Sequence, residues 1–218
     1  MRSTYIDIID QDIVFGLMNN NKKLKSFISD FPSYDNIISH SEKKKKEFSK
    51  ENRIRLVNEI KEQYKGIKIS KELNNNINSL LNEKTFSVTS GHQLSLFSGP
   101  IYFIYKIIST IKIVSELNKK SKKQKFVPVF WLASEDHDFD EIAKVNISGK
   151  SLKWEKETLN QPVGKINSDK IEKFIEQYKN EIIDSKYSNS LIKLIDEHYT
   201  SFTSLSKATR SFINQLFS

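Results

Sequence analysis

Through the first third of the chain, apolar residues recur every three or four positions, the period of one helix face. Ile54, Val57, Ile60 and Tyr64 form one stripe, and Leu73, Ile77, Leu80 and Leu81 a second. Residues 9–82 therefore read as helical, although Asn74-Asn75-Asn76 interrupts the second stripe with poor helix formers. The pattern changes at Thr85-Phe86-Ser87-Val88-Thr89-Ser90, where β-branched and aromatic residues alternate up to Gly91. That predicts a strand running into a turn. Gly99-Pro100 marks a helix start, because proline lacks only an N–H that the first helical turn leaves unpaired. Ile101, Ile104, Ile108, Ile111 and Val114 predict about five helical turns with this stripe as the core face. Residues 126–133, Phe-Val-Pro-Val-Phe-Trp-Leu-Ala, form an unbroken apolar run, as in a parallel strand buried on both faces. Pro128 is expected at its beginning or at an unpaired site.

Strand, helix and strand at this spacing make a βαβ unit, the seed of a doubly wound α/β fold. Beyond it, 144–149 and 151–154 pair as a hairpin through Gly149-Lys150, followed by a Pro162/Gly164 loop. Three helices then follow, marked by Ile171, Phe174, Ile175, Tyr178 and Ile182, by Leu191, Ile192 and Ile195, and by Phe202, Leu205, Phe212 and Leu216. The expected organisation is a helical region over 1–84, the βαβ unit over 85–143, a hairpin insertion over 144–167 and a helical segment over 168–218. A two-stranded parallel sheet cannot cover its own edges, so later strands or another chain must do so.

Composition narrows the class. The chain has 218 residues, 37% of them hydrophobic and 28% charged, which suits a folded protein, and six Gly and four Pro leave little flexible linker. With no cysteine, disulfides, thiolate catalysis and Cys-ligated metal are excluded within this segment, and a cytoplasmic location is expected. No apolar run approaches the length of a membrane span, and 1–7 has no apolar signal core, so neither membrane nor export is expected. The net charge of +8 comes from lysine with only four arginines; the clusters 43–46 and 119–125 could hold phosphates but lack the interleaved arginines and aromatics that base stacking needs. Nucleic acid is therefore not an expected partner.

Candidate chemistry falls at the carboxyl ends of both strands, where open α/β sheets place their ligand crevice. The first constellation, Ser90-Gly91-His92-Gln93-Leu94-Ser95-Leu96-Phe97-Ser98-Gly99-Pro100, leads into a helix N-terminus suited to phosphate or carboxylate, but has no Gly-Lys-Ser/Thr ending. Taken singly, its glycines also fit a helix cap and His92 a structural role. The second, Ser134-Glu135-Asp136-His137-Asp138-Phe139-Asp140-Glu141, concentrates like charge that needs compensation. A general base at His137, a magnesium site from Asp136 with Asp138 or Asp140, and recognition of hydroxyls or amines by carboxylates are all open, as is an acidic helix start capped by Ser134 or Asp136. Lys106, among isoleucines beside Tyr102 and Tyr105, either snorkels or points at a ligand.

Read together, Thr89-Ser90-Gly91-His92-Gln93-Leu94-x-Leu96-Phe97-x-Gly99-Pro100-x-Tyr102-x-x-Tyr105-Lys106 and Val127-Pro128-Val129-Phe130-Trp131-x-Ala133-x-Glu135-Asp136-His137-Asp138-Phe139-x-Glu141 resemble the bacillithiol synthase family, the cysteine ligases of bacillithiol biosynthesis. Phe31-Pro32-Ser33 and Val163-Gly164 extend the resemblance over essentially the whole chain. It implies an incomplete Rossmann-like core, similar to the nucleotidyltransferase group, and a cytoplasmic enzyme joining cysteine to glucosaminyl malate. It also implies that the chain corresponds to the N-terminal half of a homodimeric protein whose coiled coil lies further on. Phe97-Ser98-Gly99-Pro100 stands where the nucleotidyltransferase signature has His-x-Gly-His, so neither signature imidazole is present.

Amide formation in water implies ATP and Mg2+ as cosubstrates rather than a tightly bound cofactor. The amine must also lose a proton before it attacks, and His137, held by Asp136 or Asp138, is expected as the catalytic base. Binding of substrate or nucleotide falls to Gly91, His92, Gln93, Ser98, Gly99, Tyr102, Lys106, Glu135 and Glu141, and metal ligands stay unassigned. A non-catalytic nucleotide- or phosphate-binding module and a magnesium-dependent phosphoryl-transfer enzyme are the alternatives.

Overall fold

The computed structural model describes residues 12–157 and 161–218. The expectations for 1–11, including the start of the helical region, lie outside these residues. Helices α1 (Asp12–Met18), α2 (Tyr34–Lys44), α3 (Lys50–Gln63) and α4 (Lys71–Ser79) come first. Ser33, Ser49 and Ser70 start the last three, each hydroxyl accepting a backbone N–H of the first turn. The three asparagines lie inside α4, whose buried Ile77 holds it on the sheet despite their poor propensity.

Strands β1 (Thr85–Gln93) and β2 (Lys125–Ala133) pair in parallel around helix α5 (Ile101–Lys120). Phe86, Val88 and Phe126 face α5 and α2, packing on Val114, Leu117, Tyr34 and Ile38. Val127 and Val129 face the other way, onto Val57 of α3, Ile77 of α4 and Leu80 just past its end. This burial on two faces accounts for the start of the apolar run of β2, at Phe126 and Val127, whereas Trp131 further along is 59% exposed, short of the full burial expected.

Two expectations are corrected. The strand does not end at Gly91. It runs on to Gln93, with Gly91 opposite Trp131, and a Cβ on Gly91 would lie 2.8 Å from the Trp131 carbonyl oxygen. Glycine here permits close approach of two strands rather than a turn. Secondly, α5 turns a different stripe inward. Phe103, Ile107, Thr110, Val114 and Leu117 are buried, whereas Ile101, Ile108 and Ile111 stay 66%, 46% and 42% exposed. Both stripes are apolar, and a two-stranded sheet covers only one. Pro128 takes the second of its expected places: it is mid-strand, opposite Val88, at an unpaired site. Lys125 N–H donates to the Lys84 carbonyl, so alternate residues of β2 face β1 and Pro128 falls in the other phase, where no ladder donor is needed.

The outer edges are partly closed by side chains. The Asn118 amide donates to the Phe126 carbonyl (2.9 Å) and accepts from its N–H (2.8 Å), as a neighbouring strand would. On β1, buried Arg53 donates to the carbonyls of Thr85, Leu80 and Glu83.

Past β2 come α6 (Phe139–Ile142) and the antiparallel hairpin β3 (Lys144–Ile147) and β4 (Lys150–Lys153), then α7 (Ile171–Glu181), α8 (Ser188–Ser201) and α9 (Leu205–Leu216). Phe202, expected to open the last helix, ends α8 instead. Trp154, Phe174, Ile195, Tyr199 and Phe212 join Leu94, Leu96 and Phe97 of the β1–α5 turn in the largest core cluster. The C-terminal helices thus pack against the loop that begins α5, so their positions bear on whatever that loop builds. Among the described residues no helix is long and apolar enough to cross a membrane.

Candidate functional site

Parallel pairing brings His92 opposite Leu132 and Gln93 opposite Ala133, so both unusual sequence motifs leave the sheet side by side. Gln93 ties them together. Its side-chain amide donates to Asp136 Oδ2 (2.6 Å) and Glu141 Oε2 (2.8 Å). The other Asp136 oxygen accepts the backbone N–H groups of His137 (2.6 Å) and Asp138 (3.1 Å). These bonds, Gln93 first, hold the Asp136 carboxyl below the usual carboxylate range, so it is a poor proton acceptor and serves to shape the turn. Asp138 caps α6 by accepting the Glu141 N–H at 2.9 Å, and Asp140 pairs with Lys153 at 2.9 Å.

A second loop locks the acidic turn from behind. The N–H groups of Val163 and Gly164 donate to the carbonyls of Asp136 (2.7 Å) and Ser134 (2.9 Å). A Cβ at Gly164 would stand 2.4 Å from Ser134 Cβ, so only glycine fits.

On the other side, Leu96–Ser98 forms a short 3-10 turn with unusual backbone. Phe97 (φ 54°), Ser98 (φ 73°) and Gly99 (φ 49°) all have positive φ, and the two non-glycine residues together cost about 2–6 kcal/mol in an isolated chain. Pro100 then starts α5 without any side-chain cap, leaving first-turn N–H groups and the positive end of a 20-residue helix for a ligand.

Between these walls lies a cleft of about 580 Å³ lined by His92, Ser95, Gly99, Pro100, Tyr102, Asp138, Asp140, Glu141, Lys144, Val145 and Asn146. Of the residues expected from sequence, His92, Gly99, Tyr102, Asp138 and Glu141 line it, and Gln93 and Asp136 brace its floor. His137 is exposed and outside the lining, with no hydrogen bond to its ring among the described residues. Asp136 bonds its backbone rather than its imidazole. Gly91 lies within β1, its carbonyl accepting from Lys106 Nζ at 3.2 Å, while that ammonium sits 5.6 Å from the Tyr102 ring centre. Glu135 accepts from Trp131 Nε1 at 3.3 Å, and Ser98 is buried with its hydroxyl unpaired.

Sequence reasoning missed Ser95, Lys144 and Asn146. The last two alternate along β3, a pattern that marks one strand face but says nothing of which cavity it meets.

His92 has an oriented ring. Its Nδ1 lies 3.2 Å from the Gln93 carbonyl, which can only accept, so Nδ1 carries the hydrogen and Nε2 keeps a lone pair in the neutral ring. Tyr102 and Phe103 flank the ring at 5.1 and 5.3 Å. The cleft therefore combines a helix N-terminus for an anion, carboxylates for an ammonium group, and an imidazole able to take a proton. Among the described residues no three His, Asp or Glu side chains converge in a geometry that holds a metal ion. Magnesium brought in on nucleotide phosphates needs only one or two protein carboxylates, and in this cleft it would compete with an ammonium group for Asp138 and Glu141.

Comparison with known proteins agrees with this architecture. The family described as "Bacillithiol biosynthesis BshC, N-terminal Rossmann-like domain" matches residues 1–218. A Flavobacterium johnsoniae protein named "Putative cysteine ligase BshC" is 43% identical over 200 residues, covering 92% of this chain and 38% of its own length. Proteins of the same name from Flavobacterium psychrophilum and Christiangramia forsetii are 37% and 33% identical, each covering 94% of this chain and 39% of theirs. The chain thus spans about two-fifths of the length of these curated relatives.

Proposed function

Because the chain belongs to the bacillithiol-biosynthesis BshC family, we propose that it forms the substrate-holding part of a cytoplasmic cysteine ligase that joins cysteine to the amine of glucosaminyl malate. The observation that carries this reading is one cleft containing both an uncapped helix N-terminus and the carboxylates Asp138 and Glu141. An amide ligase must hold a carboxylate and an ammonium group together, and these two walls attract opposite charges. The complete protein acts as a homodimer in this reading.

ATP, with magnesium on its phosphates, would supply the activation that lets a carboxylate acylate an amine in water. The chain's own residues do the rest. The first turn of α5, just past Pro100, binds the anionic group through its backbone N–H groups, because the Gly99 N–H already donates to the Leu96 carbonyl and Pro100 has none. Asp138 and Glu141 attract the ammonium. His92 Nε2 accepts its proton so that the nitrogen lone pair attacks, while Gln93 fixes both the acidic turn and the His92 tautomer. His137, on the rim of the same turn, is the second candidate base.

The test is ATP-dependent loss of free cysteine in the presence of glucosaminyl malate, with the complete polypeptide carrying this domain. His92→Ala is expected to lower kcat at least 100-fold without loss of folding. Full turnover by His92→Ala and loss by His137→Ala would move the base to His137. Nucleotide binding with no condensation by the complete protein would leave only an anion-binding module.

A further inference from the structure

Tyr199 of α8 is fully buried, and nothing in the chemistry above uses it. Its hydroxyl accepts the backbone N–H of Phe97, 102 residues earlier, at 3.2 Å, and lies 3.3 Å from Thr209 Oγ1 of α9. Since the hydroxyl accepts from Phe97, its own hydrogen is free to point at Thr209. The Phe97 ring is gripped as well, edge-on to Tyr199 at 5.1 Å and 89° and stacked on Phe174 at 5.7 Å. All this restraint falls on the first of the three consecutive positive-φ residues, two positions before Gly99 and three before Pro100.

A left-handed conformation at phenylalanine relaxes to negative φ unless its surroundings hold it. The Tyr199 hydroxyl is the one hydrogen-bonding group that reaches this backbone from outside the turn among the described residues. We infer that Tyr199 is a positioning residue: acting through the Phe97 backbone, its hydroxyl holds the turn that directs the start of α5 into the cleft. Without it the Phe97 N–H is buried and unpaired, and the peptide planes leading to Gly99 are free to rotate. The inference rests on the reading that this helix start binds an anionic substrate group, and it makes α8 and α9 part of the site without either touching the ligand.

The test compares Tyr199→Phe, which keeps the ring, with Ile195→Val, a core truncation on the same helix that leaves the hydroxyl in place. Amide exchange and backbone couplings of Phe97 and Ser98 report the turn. Titration with malate and, separately, inorganic phosphate, followed through the His92 and Tyr102 resonances, reports the site. In Tyr199→Phe the Phe97 amide is expected to exchange at least tenfold faster relative to other α8-contacting amides, and malate affinity to fall at least fivefold. Ile195→Val should lower thermal stability with affinity unchanged. An unchanged turn in Tyr199→Phe overturns the inference, as does a relaxed turn with wild-type affinity or an equal loss of affinity in Ile195→Val. Absence of anion binding by the wild-type chain would refute the substrate reading instead, while the couplings of Phe97 and Ser98 still decide whether Tyr199 holds the turn.

Discussion

His198 shows how one buried atom sets a pH dependence. Its Nδ1 meets Ser211 Oγ at 2.9 Å, its Nε2 is buried without a partner, and Phe212 packs edge-on at 6.3 Å. Burial lowers its pKa from the ordinary value, with adjacent Glu197 opposing. The unfolded imidazole, with a pKa of about 6.5, therefore takes up a proton before the folded one. Stability is complete above that value and falls as the pH drops through it toward the lower folded value. Melting temperatures between pH 7.5 and 5 should show this decline, and His198→Gln, which cannot titrate, should flatten it over the same range. An equally steep decline in the variant would place the titrating group elsewhere. The sequence offered no hint of this, because Asp196 and Glu197 beside His198 do not say whether its ring is buried; its burial comes from the α8–α9 contact.

At the level of elements, the parts that were legible are those fixed by local patterning. The alternation at 85–90, the apolar run at 126–133 and the Gly149 turn mark both strands and the hairpin, whereas periodicity alone does not divide the helical stretch 9–82 at the serine-capped starts of α2, α3 and α4. What failed needed a partner to decide it. The α5 sequence is apolar on two sides, so periodicity alone does not say which side meets the sheet. Gly91 looked like a turn because its reason, the Trp131 backbone, lies forty residues away. In the site, charge density identified the acidic turn, but only the pairing of β1 with β2 shows that Gln93 latches it and that Asp138 rather than His137 faces the cleft. The docking of the 163–165 turn on the exit of β2 is likewise long-range, and it is sharply testable. Gly164→Ala must displace Ser134 and should destabilise the protein by about 1–3 kcal/mol, read from urea denaturation. A change below about 0.5 kcal/mol would mean that the two loops separate easily.

Seen whole, the described residues pack around three apolar clusters, with much apolar surface left uncovered. Ile101, Tyr105, Ile108 and Ile111 run along the outer side of α5, each more than 40% exposed. A helix apolar around most of its circumference is normally enclosed. Held as a separate 218-residue species, the chain should self-associate through this stripe, more strongly on warming because apolar attraction weakens in the cold. Ile108→Lys should reduce the association seen by sedimentation velocity while leaving the melting temperature at high dilution within about 2 °C, since surface changes usually shift stability by under about 0.5 kcal/mol. Equal association in the variant would place the sticky surface elsewhere.

The same exposure makes the side chain at the beginning of β2 matter more. By filling both peptide positions of Phe126, Asn118 denies a stray extended segment its first foothold there. Fibril-like stacking on this border would have to nucleate higher up, beyond Pro128, whose ring presents no hydrogen to recruit an incoming backbone. One amide and one imino acid thereby blunt a border that would otherwise template polymer growth.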